Sequence, residues 1–101
     1  MKRYEIWYAK YKYQDCNHIE IRPVMIWNDT VFVISFKLTG TDRGDTKTEF
    51  QIQYWKEAGL TKPTTIRIEK VLRMDHSDFV NKIGELDPRD RLRFELRLAG
   101  Q

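Results

Sequence analysis

The sequence has little of what marks a secreted, membrane-embedded or disordered protein. Its 101 residues include one cysteine, Cys16, so no internal disulfide can form and we expect a reducing, cytoplasmic location. No apolar run is long enough to span a bilayer, and the charged, alternating start MKRYEIWYAK does not resemble a signal peptide. We therefore expect residues 1–101 to form one domain with no membrane association.

The chain also has only a small excess of charge of one sign. Lysine and arginine total 18 against 15 aspartate and glutamate residues, which gives a net charge of +3. This excess permits contact with a polyanion but does not require it. Hydrophobic residues at 41% and charged residues at 33% are typical of a folded globular chain.

Alternating apolar and polar residues, the period of a β-strand, occupy most of the chain. We predict strands at 4–13, 22–27, 30–36, 49–54, 64–72 and 82–86. The run 22–27 is nearly all apolar and should be central, and Asn28-Asp29 should turn into the next strand. Residues 55–58 should form one helical turn that ends at Gly59 in a left-handed conformation, and a short helix is expected near Ser77.

The C-terminal segment gives two conflicting signals. Asp87-Pro88 is a helix start, with aspartate at the N-cap and proline at the first helical position. The residues that follow alternate with the period of a strand, and the apolar ones are Leu92, Phe94, Leu96 and Leu98. A helix would instead place Leu92, Leu96 and Ala99 on one face. The pattern alone leaves the type of this element open.

The longest polar segment, 37–48, is predicted to be a loop, and loops of this length in a compact domain are often functional. Within it, TDRGD could supply Asp42 or Asp45 as a general base and Arg43 as a phosphate contact. The same residues equally suit a plain turn, with Gly44 at positive φ. Two loop carboxylates are too few for a metal site.

Arg22 directly precedes a proline at the start of the central apolar run. Proline lacks the N–H that a sheet ladder needs, so it suits the first residue of a strand or an edge. It also pushes the residue before it into extended geometry. Arg22 therefore has a restricted backbone, which suits a ligand contact and also occurs for ordinary surface arginines.

Five segments follow one another along the chain: YEIWYAKY, RPVMIWND, VFVISF, AGLTKPTTIRIEKVLRMD and KIGELDPRDRLRFEL. Their order and spacing resemble the MazF/PemK family of toxin–antitoxin ribonucleases. The resemblance implies a mainly β fold with a C-terminal helix, a small SH3-like, partly open barrel of the MazF/PemK/CcdB type. It also implies a homodimer that cleaves single-stranded RNA without a metal or other cofactor, and that a short antitoxin peptide or protein inhibits.

Such cleavage has definite chemical requirements. A ribose 2′-hydroxyl attacks the adjacent phosphorus, so the site must accept one proton, supply another and stabilise negative charge on phosphorus. Arginine suits the last role because its planar fork donates two hydrogen bonds to phosphate oxygens. Family members carry this arginine directly before the Pro-Val of the second strand, which is Arg22 here.

The resemblance is incomplete at a second position. The family usually has threonine or serine at the end of the third strand, where this chain has Lys37. A lysine can neutralise phosphate charge but has no hydroxyl, so the catalytic candidates are Arg22 and Lys37. Ser35 and Thr39 lie two residues away on the same strand face and could open to the same groove.

Two residues near Arg22 could move or hold protons. His18 could shuttle a proton near neutral pH, although a lone loop histidine is more often simply solvated. Glu20 shares a strand face with Arg22 and could orient it or act as a base. Cys16 has no activating neighbour in the sequence and is expected to be inert.

Several features keep two interpretations. Trp27, Tyr54 and Trp55 could stack RNA bases or pack in the core. The tail RDRLRFELR could bind RNA or form a solvated helix face. The rival function is a non-catalytic, CcdB-like module on the same barrel that binds RNA or a protein, and the lysine at position 37 favours it.

Overall fold

The computed structural model describes residues 1–13, 18–40 and 46–100. The described chain forms β1 (Glu5–Lys12), β2 (Ile19–Asp29), β3 (Val33–Thr39), β4 (Glu49–Gln51), β5 (Thr65–Met74), β6 (Phe79–Glu85) and α1 (Pro88–Ala99). A 3₁₀ turn (His76–Asp78) precedes β6. The prediction of a mainly β fold with a C-terminal helix is confirmed, as is the short helix near Ser77.

All strand pairs in the described sheet are antiparallel, in the order β4-β5-β3-β2-β1-β6. The sheet is strongly curled. Its curl is shown by one shallow cleft that residues 10–12 of β1 and 71–74 of β5 line together, although two strands separate β1 from β5 in the sheet. The outer strands β4 and β6 are not paired with each other in the described residues. The sheet is therefore a partly open barrel.

Both faces of the central strand β2 are covered. Met25 lies opposite Ile6 and Phe36 on one face, in the main hydrophobic core. Its neighbour Val24 points to the other face and packs with Ala9 in a smaller core. This explains why the apolar run shows no alternation, and it confirms the prediction that the run is central.

Helix α1 resolves the conflict in the C-terminal segment. The Asp87 side chain accepts a hydrogen bond from the backbone N–H of Arg89 at 2.9 Å, so the predicted N-cap is present. Phe94 is fully buried in the main core, and its ring packs edge-on against three aromatic rings, with centroids at most 5.8 Å apart: Trp27, Phe36 and Phe50. Of the described helices, none combines the length and the apolar character needed to cross a bilayer.

The buried face of α1 differs from the expected one. Leu92 and Leu96 are 61% and 64% exposed, whereas Asp90 and Phe94 are buried and Leu98 packs against the main core. The face formed by Leu92, Leu96 and Ala99 is exposed, because contacts with the sheet bury the row that carries Phe94 instead.

Several predicted boundaries also need correction. Asn28 and Asp29 belong to β2, and the turn occupies residues 30–32. The first three residues of the predicted 37–48 loop extend β3, since Leu38 is buried and residues 37–39 pair with β5. Strand β2 begins at residue 19 rather than 22, β4 ends at residue 51 rather than 54, and β6 begins at residue 79 rather than 82.

The predicted turn at 55–59 is confirmed. The Ala58 N–H donates to the Tyr54 carbonyl at 3.2 Å, and Gly59 has φ +91°. After this turn, the side chain of Lys62 packs against Gly40, which directly follows β3.

Candidate functional site

Strands β2 and β3 separate next to Pro23. Their ladder begins with Val24 opposite Lys37, and no pair of described residues lies beyond it on the Pro23 side. Pro23 pairs with Tyr8 of β1 but has no N–H to extend a ladder towards β3. Strand β3 continues to Thr39, where it stays paired with β5. The two strands therefore diverge and leave a groove between them.

The groove has a volume of about 440 Å³. It is cationic: Arg22 of β2, Lys37 of β3 and Lys62 of the segment before β5 all line it, and none of its described lining residues is acidic. Low-dielectric walls with charges of one sign concentrate the local field. The geometry thus suits an anionic ligand.

Glu20 connects Arg22 with His18. One carboxylate oxygen of Glu20 forms an ion pair with the Arg22 guanidinium and also accepts a hydrogen bond from the Tyr13 hydroxyl at 3.3 Å. The other oxygen lies 2.9 Å from Nε2 of His18. The side chains of Arg22 and His18 remain 49% and 57% exposed, so both can reach a ligand.

This network stabilises the charged forms of Glu20 and Arg22. The hydrogen bond from His18 and the charge of Arg22 lower the pKa of the Glu20 carboxyl. The hydrogen bond with Tyr13 and the charge of Glu20 raise the pKa of Arg22. The predicted role of Glu20 as a partner of Arg22 therefore agrees with its contacts.

Lys37 is held by aromatic rings. Its Nζ lies 4.4 Å from the ring centroid of Tyr11 and 5.8 Å from that of Tyr13. A cation–π contact of this kind positions an ammonium without neutralising its charge. The ammonium is therefore presented at the groove as a cation.

Thr39 and Ser35, the two hydroxyl candidates near Lys37, have different positions. Thr39 lines the groove. Ser35 is fully buried opposite Ile26 and Leu72, where the strands are still paired, so the structure does not bring it together with Arg22. The candidates Asp42, Arg43 and Asp45, like Cys16, lie outside the described residues.

Lys62 is a groove residue that the sequence interpretation missed. It packs across Gly40, where a Cβ would collide with the Lys62 side chain. A signal for it was present, because Lys62 precedes a proline just as Arg22 does. Two of the three cations of the groove thus have a backbone that proline restricts to extended geometry.

Two tyrosines of β1 and Tyr13, which directly follows it, were also missed as site residues. Tyr8 and Tyr13 line the groove, and Tyr11 holds Lys37. The aromatics proposed for base stacking lie elsewhere: Trp27 and Trp55 pack against the main core. Tyr54 stacks under the guanidinium of Arg89, 3.6 Å from its ring centroid. The packing interpretation therefore fits these three better.

The arginines of the C-terminal tail bind the protein itself. Arg91 donates to the Leu86 carbonyl, Arg93 pairs with Asp90 at 2.7 Å, and Arg97 donates to the Glu49 carbonyl at 3.1 Å. Neither an RNA-binding stripe nor a purely solvated face describes them. Arg91 thereby links α1 to the segment that precedes it, and Arg97 links α1 to β4.

No cluster of three or more His, Cys, Asp or Glu side chains that could hold a metal ion is found among residues 1–13, 18–40 and 46–100. The described groove offers cations and hydroxyl groups, and a histidine–carboxylate pair lies next to Arg22 beside it. These groups can bind a phosphate and exchange protons with it.

Comparison with known proteins identifies the family. The model of a family described as PemK-like, MazF-like toxin of type II toxin–antitoxin system matches residues 2–99. The chain belongs to this family. The resemblance drawn from the five segments is thereby confirmed.

Solved structures show the same fold. The Mycobacterium tuberculosis toxin MazF-mt6 aligns with a TM-score of 0.74 at 20% identity, over 95% of this chain and 93% of its own. An endoribonuclease in complex with its cognate antitoxin, from Mycobacterial species, aligns with a TM-score of 0.74 at 17% identity, over 97% and 90% of the two chains. An endoribonuclease from Mycobacterial species gives 0.70 at 16% identity, over 97% and 86%. A search of curated protein sequences gives no significant match.

Proposed function

We propose that this MazF-like toxin cleaves single-stranded RNA by attack of a ribose 2′-hydroxyl on the adjacent phosphorus, without a metal ion or other cofactor. The products are a 2′,3′-cyclic phosphate and a free 5′-hydroxyl. The observation that carries the proposal is the convergence of Arg22, Lys37 and Lys62 on one groove. Family membership gives the class of reaction.

The cations have distinct roles in this reaction. Arg22 donates its free N–H groups to the non-bridging phosphate oxygens, while Glu20 holds the other part of the guanidinium. Lys37 stabilises the charge that develops on phosphorus and gives a proton to the leaving 5′-oxygen. Lys62 and Thr39 bind the neighbouring backbone of the substrate.

The walls of the groove favour a single strand. Tyr8 and Tyr13 offer ring faces to bases, and base–aromatic contact requires bases that are not stacked in a duplex. A duplex would present only its phosphates. Single-stranded RNA therefore uses more of the groove than double-stranded RNA does.

The test is a cleavage assay on unstructured RNA in the presence of a chelator. Wild type should release fragments with cyclic-phosphate ends, and Arg22→Ala should lower the rate at least 100-fold, since removal of one charge-stabilising donor costs roughly 10²–10³ in rate. Arg73→Ala is the matched control, because Arg73 stacks on Phe32 outside the groove. Intact RNA with wild type, or equal rates for wild type and R22A, would refute the proposal.

A non-catalytic module is the second candidate. It is favoured by the lysine at position 37, and by the ion pair in which the Glu20 carboxylate already binds part of the Arg22 guanidinium. This alternative predicts that wild type binds RNA or a protein target tightly and leaves RNA uncut. Fluorescence anisotropy with labelled RNA, run beside the cleavage assay, distinguishes the two.

We further propose a homodimer that acts in the cytoplasm and is inhibited by a short antitoxin peptide or protein. One solved structure of similar fold is described as a complex with its cognate antitoxin. Exposed apolar side chains such as Ile21 and Leu96 provide surface that these contacts could cover. Light scattering should give twice the 12.2 kDa mass of one chain, and a monomer at micromolar concentration would contradict the dimer.

A further inference from the structure

The proposed reaction requires a group that removes the proton of the 2′-hydroxyl, and neither Arg22 nor Lys37 can do so while charged. We propose that His18 is this general base and that Glu20 is its positioning residue. One carboxylate then couples the phosphate-binding arginine to the group that takes the proton. This inference rests on the proposed ribonuclease function and adds the acid–base assignment to it.

The contacts of Glu20 determine which nitrogen of His18 is available. An ionised carboxylate only accepts hydrogen bonds, so the 2.9 Å contact requires a hydrogen on Nε2 of His18. In the neutral ring, Nδ1 is then an unprotonated acceptor. The carboxylate thus holds the ring in the tautomer that a base needs. Because its other oxygen binds Arg22, the ring and the guanidinium are positioned by one side chain.

The imidazole lies beside the groove. Its ring centroid is 5.8 Å from that of Tyr13, and the Tyr13 N–H donates to the His18 carbonyl at 3.1 Å. Nζ of Lys37 is also 5.8 Å from the centroid of Tyr13, which lines the groove. His18 and Lys37 therefore contact one ring, as a base and an acid for the two ends of a single phosphodiester would.

The proton balance closes with these groups. Nδ1 of His18 takes the proton of the 2′-hydroxyl as the bond from the 2′-oxygen to phosphorus forms. The bond from phosphorus to the 5′-oxygen breaks, and Lys37 gives this oxygen a proton. Proton exchange with water then returns the imidazolium and the lysine amine to their starting states.

Glu20 itself is a poorer choice of base. The hydrogen bond from His18 and the charge and hydrogen bond of Arg22 lower the pKa of Glu20, and its carboxylate also accepts a hydrogen bond from the Tyr13 hydroxyl. A carboxylate with a low pKa has little proton affinity at neutral pH, whereas imidazole titrates close to it.

The charged groups around His18 act in opposite directions. In the described chain, Glu20 favours the imidazolium, while the nearby cations Arg22 and Lys37 disfavour it. Tyr11 lies opposite Glu20 on β1, and Lys12 lies opposite Ile19. Loss of the carboxylate would remove the contact that fixes the tautomer and the orientation of the ring.

The decisive variant is His18→Gln, because glutamine can still donate from its amide nitrogen to Glu20 but cannot take a proton. We expect it to bind RNA like wild type and to cleave about 100-fold or more slowly, in the range expected for loss of a general base. Its rate should also lose the fall at acidic pH that protonation of a general base causes in wild type. Free imidazole should partly restore the rate of His18→Ala, which a purely structural role would not allow.

Glu20→Gln tests the positioning role, and we expect a rate about tenfold lower, which Glu20→Asp should partly restore because it keeps a carboxylate. His76→Gln is the matched control, because His76 contacts Asp29 at 2.6 Å, at the other end of β2. This variant should cleave RNA like wild type. An active wild type whose H18Q variant keeps the full rate and the same pH profile would overturn this inference alone. An inactive wild type would overturn the ribonuclease proposal and this inference with it.

Discussion

Asp90 is a buried carboxylate whose removal should destabilise the fold and loosen one wall of the groove. It has no exposed surface, and its oxygens accept the backbone N–H of Gln53 at 3.3 Å and of Tyr54 at 2.8 Å. The Arg93 guanidinium completes the site at 2.7 Å. Asp90 thereby connects α1 to the segment that leads from β4 to Lys62.

The expected cost of Asp90→Ala follows from the groups left without a partner. Each buried donor that loses its acceptor costs about 1–3 kcal/mol, and breaking a buried ion pair costs about 3–5 kcal/mol. Arg93 is partly exposed and Gln53 is exposed, so both regain water, and we expect about 2–3 kcal/mol in total. Asp90→Asn keeps one acceptor oxygen and should lose about half as much.

Urea unfolding monitored by tryptophan fluorescence measures this directly, since the chain has three tryptophans. At a slope of roughly 1 kcal/mol per molar urea, the midpoint of D90A should fall by about 2–3 M with an unchanged slope. D90N should lie between wild type and D90A. If D90A unfolded within about 0.5 M of wild type, the two loop amides would have another acceptor and the reasoning would fail.

Two further predictions concern stability. The hydrogen bond from the N-terminal amine and that from His76 lower the pKa of Asp29, so its contribution to stability is present above the ordinary aspartate range and is lost as pH falls through the lowered pKa. Asp29→Asn should reduce the fall of the melting temperature below about pH 4. An unchanged fall would count against a stabilising role of the two hydrogen bonds to Asp29. Gly59→Ala places a Cβ 2.7 Å from a backbone oxygen at φ +91° and should cost about 1–2 kcal/mol or more. Gly100→Ala, with φ −82° and no contact under 3.5 Å, should cost nothing in the same urea titration, and equal losses would refute the strain argument.

The parts of the fold that local chemistry determines were predictable from the sequence. The unbroken apolar run identified β2 as central, because only a strand covered on both faces lacks alternation. Asp87-Pro88 identified the start of α1, and Gly59 identified the end of the 55–59 turn, since each is a backbone requirement that one residue type satisfies. These signals lie within a few residues of the structure that they specify.

The parts that long-range pairing determines were not predictable. The buried row of α1 depends on rings distant in sequence around Phe94, and the continuation of β3 through Leu38 depends on its pairing with β5. The same holds for Lys62, which lines the groove by packing against Gly40, a residue distant from it in the sequence. Arg22 was predicted as a site residue because the family resemblance implied a role for it, and it lines the groove. The position of Lys62 in the groove is visible only in the structure.

The position of the groove follows from the Arg22-Pro23 pair. A side chain other than proline at position 23 would bring an N–H that could continue the ladder between β2 and β3 past Val24 and Lys37. Continued pairing would draw Thr39 towards β2 and close the space in which the three cations meet. Proline therefore has two effects on the proposed site. It restricts the backbone that carries the arginine, and it keeps open the gap into which the guanidinium projects.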